Sequence, residues 1–126
     1  MSRTALIVED EIFVALDLER ILTDAGYQVV AIAADQAEAE QVACQASFAF
    51  VDVNLRDGCT GPAIARSFAA HGVKVVFVTA NPAQIDLPSA ALGFVRKPFN
   101  EAQILAAAAI ASNDDAIVPR GELAAI

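Results

Sequence analysis

Five polar side chains stand at the ends of apolar runs that have no packing use for them. Glu9-Asp10 follows Ala5–Val8, Asp52 sits inside Phe48–Val53, Thr79 follows Lys74–Val78, and Lys97 follows Phe94-Val95-Arg96. An acid in an apolar run is costly unless something compensates it. If these positions meet, three carboxylates share one crevice. At about 4 Å and an effective dielectric of about 20, each pair repels by on the order of 4 kcal/mol. Lys97 supplies one compensating charge, and a divalent cation is the natural second. Oxygen donors without His or Cys favour Mg²⁺, which keeps several waters and uses one or two carboxylates with phosphate oxygens. That set suits in-line phosphoryl transfer to a carboxylate: cation and lysine stabilise charge on the equatorial oxygens, and a hydroxyl holds another oxygen.

The elements that must gather these groups are legible as an alternation repeated five times along the chain. Ala5–Val8 is a short apolar run of the kind found in strands covered on both faces. Glu11–Ala25 has helical apolar spacing and stops at Gly26, where a left-handed turn usually ends a helix. Val29–Ala33 then reads as strand, Gln36–Gln45 as helix, Phe48–Val53 as strand and Pro62–Ala70 as helix, with proline in its first turn and His71-Gly72 closing it. Lys74–Val78 is the fourth strand and Phe94–Arg96 the fifth. The last helix is Asn100–Ala111, with Asn100 as N-cap. Between the last two strands Ala83–Leu92 has a weak helical pattern interrupted by Pro88. Proline inside a helix costs about 3 kcal/mol, so this helix is expected to be short or distorted. Five βα units with nearly all-apolar strands predict an α/β fold, a doubly wound parallel sheet with helices on both faces. In such sheets the functional crevice lies at the carboxyl ends of the strands.

Composition narrows the function. At 126 residues the chain has room for one compact domain, read as residues 1–112 followed by a tail at 113–126 with no output domain. A net charge of −8, from 8 Lys and Arg against 16 acids, lacks the clustered basic residues a nucleic-acid binder needs. The longest apolar stretches fall far short of the roughly 20 residues of a membrane span, and no signal peptide is evident. Cys44 and Cys59 make neither a disulfide framework nor a metal spacing, which suits a cytoplasmic setting. His71 is the only histidine and reads as a complement to a helix C-terminus. Arg56 and Asp57 read as loop solvation and turn chemistry.

The sequence resembles a known family, the receiver domains of two-component response regulators, in their stand-alone, chemotaxis-regulator-like form. The matching residues are Val8-Glu9-Asp10-Glu11, Asp52-Val53-Asn54-Leu55 with Asp57-Gly58, Thr79-Ala80, and Lys97-Pro98-Phe99, and the resemblance covers roughly residues 4 to 112. It implies a flavodoxin-like strand order 2-1-3-4-5. It implies Asp52 as phospho-acceptor, Asp10 as a direct Mg²⁺ ligand, Glu9 as the acid that reaches the metal through water, and Asn54 as the donor of a backbone carbonyl. Thr79 resembles the switch hydroxyl, Lys97 the partner of a phosphoryl oxygen before an often cis Lys97-Pro98 bond, and Phe94 the aromatic side chain that swings inward on activation. The implied partners are a histidine kinase or histidine phosphotransfer protein as donor and a downstream protein as listener. Such a protein promotes its own aspartyl phosphorylation and dephosphorylation and is otherwise no enzyme.

Two features depart from the family pattern. The acid pair is Glu-Asp where Asp-Asp is commoner, and the segment from Thr79 to Lys97 is short, with Pro82 and Pro88. Other readings stay in view: a degenerate receiver serving only as a protein-binding module, or a haloacid-dehalogenase-type phosphatase. The latter also uses Asp, Thr and Lys, but places its nucleophile after the first strand. A flavodoxin-like flavin binder shares the architecture, which alone does not give function.

Overall fold

The computed structural model describes residues 3–85, 89–113 and 125–126. Strands β1 (Thr4–Val8), β2 (Gln28–Ala33), β3 (Phe48–Asp52), β4 (Lys74–Thr79) and β5 (Gly93–Arg96) form one parallel sheet in the order β2-β1-β3-β4-β5. Helices α1 (Ile12–Asp24), α2 (Gln36–Val42), α3 (Gly61–Ala70) and α4 (Glu101–Ala111) cover both faces.

The central strands show why apolar runs without alternation become strands here: both faces need apolar side chains. Leu6, Val8, Ala49, Val51, Val75 and Phe77 pack on one side with Ala39 of α2 and Ile64 and Phe68 of α3. Their neighbours Ala5, Ile7, Phe48, Phe50, Val76 and Val78 pack on the other with Leu18 and Leu22 of α1 and Ile104 and Ala108 of α4. The period of two in strand side chains splits each run between two cores. Each fully buried Phe, Leu or Ile contributes about 1.5–3 kcal/mol of transfer free energy. Two inner aromatics, Phe48 and Phe50, meet edge to face at 6.1 Å.

Helix ends follow their sequence signals. Gly26 takes φ +94° two residues after the end of α1, a conformation that disfavours any side chain. Asn100 accepts the Gln103 N–H at 2.9 Å while the Gln103 side chain accepts the Asn100 N–H at 2.9 Å, a reciprocal cap that fixes the start of α4 immediately after the Lys97 loop. His71 Nδ1 lies 2.8 Å from the Ser67 carbonyl oxygen at the end of α3, the helix-terminal role expected of it.

The helix expected at Ala83–Leu92 does not form among the described residues. A single 3-10 turn at Pro82–Gln84 stands in its place, and Pro88 lies outside the described residues. Pro82 has no N–H to donate and occupies the first position of that turn. Beyond it, Ile85 and Ala91 are buried in the core beneath α2 and α3, so the connection crosses the face by anchoring single side chains. Among the described residues no helix is long and apolar enough to cross a membrane.

Candidate functional site

The carboxyl edge of the sheet brings the expected groups together. Glu9 prolongs β1, its N–H donating to the Ala33 carbonyl at 2.8 Å, and the residue is only 3% exposed. Asp10, one residue on, is exposed. Asp52 is the last residue of β3 and is 6% exposed. One carboxylate oxygen from each of these three residues lies within 4.8 Å of the other two. Lys97, just past β5, reaches across the tip of β4: its Nζ is 2.8 Å from Glu9 Oε1 and 3.0 Å from Asp52 Oδ2. Glu11 Oε1 stands further off at 3.8 Å.

Burial governs the protonation of Glu9. It pushes the Glu9 carboxyl up to about 7, and the neighbouring Asp52 pushes the same way while Lys97 opposes. Lys97 is pulled down by burial, but Glu9 and Asp52 together outweigh that and raise it. Although Lys97 Nζ is at contact distance, Glu9 Oε1 has no aligned hydrogen bond among the described residues; the contact is an ion pair rather than a directed bond. A buried carboxylate oxygen without a directed hydrogen bond, beside two further acids, is an environment that suits a hard divalent cation. The residues fit Mg²⁺.

Thr79 ends β4, is 1% exposed, and its Oγ1 accepts the Asn81 N–H at 3.1 Å. The Lys97 N–H donates to the Thr79 carbonyl at 2.9 Å, and the Lys97-Pro98 bond is cis. Asn54 is exposed; its N–H donates to Asp52 Oδ1 at 3.2 Å. Phe94 is half-buried against the core beneath α2 and α3.

The family pattern of the response regulator receiver domain matches residues 5–109. The chain is a response regulator receiver domain. It is 31% identical over 113 residues to the phyllosphere-induced regulator PhyR of Methylorubrum extorquens, covering 84% of this chain and 42% of that protein. The PhyR structure from Brucella abortus superposes with a TM-score of 0.74 at 26% identity, over 89% of this chain and 47% of that one. The isolated PhyR receiver domain of Erythrobacter litoralis shares the fold at 23% identity, with a TM-score of 0.72 over 89% and 93% of the two chains. This receiver thus spans less than half the length of the first two PhyR proteins.

Several contacts around the receiver's acid cluster were not legible in its sequence. Arg56, read as loop solvation, reaches Asp35 Oδ2 at 2.7 Å and Glu38 Oε2 at 3.2 Å. Asp57 accepts from the Thr60 hydroxyl at 2.7 Å and from the Gln36 N–H at 3.2 Å. Both tie the loop after Asp52 to the start of α2, and the Glu38 and Arg56 contacts hold Asp35 below the usual carboxylate range. Asn54 Nδ2 donates to Gln84 Oε1 at 2.6 Å, joining the loops after β3 and β4. Gly61 begins α3 where a Cβ would lie 2.6 Å from Val53 Cα and press on the Asp52 carbonyl. The Gly61-Pro62 pair was the available signal for that close approach. Beside Lys97, the exposed Phe13 of α1 lines an open groove of about 370 Å³ with Val14, Pro98 and Phe99.

Proposed function

We propose that this receiver accepts a phosphoryl group on Asp52 in a Mg²⁺-dependent reaction, from a histidine kinase or histidine phosphotransfer protein, and that the change alters its binding to a protein partner in the cytoplasm. The observation that carries this reading is the Asp52 carboxylate at the tip of β3, paired with Lys97 and within 4.8 Å of oxygens from Glu9 and Asp10.

In the forward step a carboxylate oxygen of Asp52 attacks the phosphorus of a phosphohistidine. The P–N bond breaks, the imidazole leaves with the bond's electron pair and takes a proton from water, and an acyl phosphate forms on Asp52. Mg²⁺, held by Glu9, Asp10, Asp52 and the Asn54 backbone carbonyl, would neutralise charge on the phosphoryl oxygens. Lys97 pairs with a phosphoryl oxygen once Asp52 no longer bears its full charge. The Thr79 hydroxyl gives up its Asn81 contact to bind another. Phe94 is the side chain on β5 that turns inward as Thr79 moves.

Acceptor, acids, hydroxyl and ammonium in one crevice favour this reading over a binding-only module. The order of the groups along the chain, metal acids first and acceptor on the third strand, disfavours a haloacid-dehalogenase-type phosphatase. Titration with Mg²⁺ alone separates the receiver from a binding-only module: Asp10→Ala should lose at least about tenfold in metal affinity, whereas turnover of phosphate esters would point to the phosphatase. Equal Mg²⁺ affinity in the wild type and Asp10→Ala, or no Mg²⁺ binding in either, would refute the assignment.

A further inference from the structure

The sheet has two edges, and β5 forms one of them. An edge strand presents unpaired N–H and C=O groups, which template the addition of another strand. On β5 that edge is occupied. Ala125 forms a parallel bridge with Phe94, and the Ile126 N–H donates to the Phe94 carbonyl at 2.9 Å. The Ile126 side chain is half-buried against the core shared by α1 and α4, on the opposite side of the sheet from the core that Phe94 touches. Backbone pairing and one apolar anchor are the two components of peptide recognition by strand addition.

We propose that the outer edge of β5 is a strand-addition surface for an extended segment running parallel to it, and that residues 125–126 are its built-in occupant. An extended segment of another protein gains this edge only by displacing them. The occupant is held weakly enough to leave: one backbone hydrogen bond and a half-buried isoleucine favour the docked state by about tenfold. It is held in cis, so it competes at the effective concentration its tether sets, on the order of millimolar. Phe94, which pairs with the occupant, lies three residues before Lys97, which stands just past the end of β5.

The test uses the full chain without any phosphodonor, with backbone amide signals followed by NMR. In the wild type the Ile126 amide should exchange with solvent about tenfold more slowly than in an unstructured peptide. Ile126→Pro deletes both the donor to Phe94 and the isoleucine anchor, while the fully buried residues of the core stay in place. A peptide with the sequence of residues 121–126 should then shift the signals of Phe94 and Arg96 in Ile126→Pro, with about tenfold weaker binding to the wild type. Ile126→Ser keeps the N–H, loses the apolar anchor, and should fall between the two. Exchange of the Ile126 amide at the unstructured rate would overturn the proposal. So would peptide shifts equal in wild type and Ile126→Pro, or absent from both.

Discussion

Lys97 Nζ lies 3.0 Å from Asp52 Oδ2 although the two residues are 45 positions apart and their strands are not neighbours. The lysine stem spans the end of β4 to place its charge between two acids. Replacing Lys97 with Met keeps the stem and removes the charge. Glu9 and Asp52 then face each other without compensation, and removing one partner of a buried ion pair is destabilising. The metal-free protein should lose on the order of 2–3 kcal/mol in urea unfolding. Millimolar Mg²⁺ should restore part of this, because the cation takes over the neutralising role. Equal destabilisation with and without Mg²⁺ would show that the lysine acts by packing alone.

Glu9 predicts a pH dependence with a definite sign. Its carboxyl sits near 4.5 when unfolded and is raised to about 7 in the fold. The folded state therefore holds a proton that the unfolded state has already lost between those two values. The stability this group contributes is complete below pH 4.5 and declines as pH rises through about 7, by on the order of 3 kcal/mol in all. Mg²⁺ needs the carboxylate, so metal affinity should climb over the same interval and level off above it. Glu9→Gln should flatten the metal-free stability profile. A wild-type profile already flat from pH 5 to pH 8, with Lys97 unchanged, contradicts the burial effect.

Gly61 and Gly58 make a contrasting pair. A Cβ at Gly61 meets main-chain atoms of Val53 and Asp52, which cannot swing aside, whereas Gly58 has open space but takes φ +109°. Gly61→Ala should cost about 2–3 kcal/mol through overpacking and disturb the acceptor. Gly58→Ala should cost about 1 kcal/mol through backbone strain and leave Mg²⁺ binding near wild type. Similar Mg²⁺ affinities in the two variants would argue against a link between the α3 contact and the site.

The Arg56 contacts give a smaller expectation. Its guanidinium is about half exposed, and its partners Asp35 and Glu38 are also open to solvent to differing degrees. Arg56→Ala should therefore change stability by less than about 1 kcal/mol and lose even that effect at high salt. A loss several times larger, insensitive to salt, would mean that the loop tie carries more than electrostatics.

Much of this structure is readable in the chain because parallel strands buried on both faces are nearly all apolar, so a charged residue in or just after one stands out. Glu9, Asp52 and Lys97 were found in that way, and the sheet brings them into contact. The ties between loops were not readable. Arg56 to Asp35 and Asn54 to Gln84 join residues on separate connections, and no period or spacing encodes which loops will face each other. The connection from β4 to β5 was read as a weak helix interrupted by Pro88 and expected to be short or distorted; among the described residues it holds one 3-10 turn at Pro82–Gln84, with Ile85 and Ala91 buried. The pairing of Ala125 with Phe94 was equally hidden, since a one-residue bridge has no pattern to detect.

Borohydride reduction of the freshly phosphorylated protein, followed by peptide mass spectrometry, converts an aspartyl phosphate to homoserine and so marks the acceptor by position. After treatment with a small phosphodonor and Mg²⁺, residue 52 should carry the mark, and neither omission of Mg²⁺ nor Asp52→Asn should leave any. A mark at Asp10, Glu9 or another residue, or labelling of Asp52→Asn at the wild-type rate, would mean that the acid at the tip of β3 is not where the phosphoryl group goes.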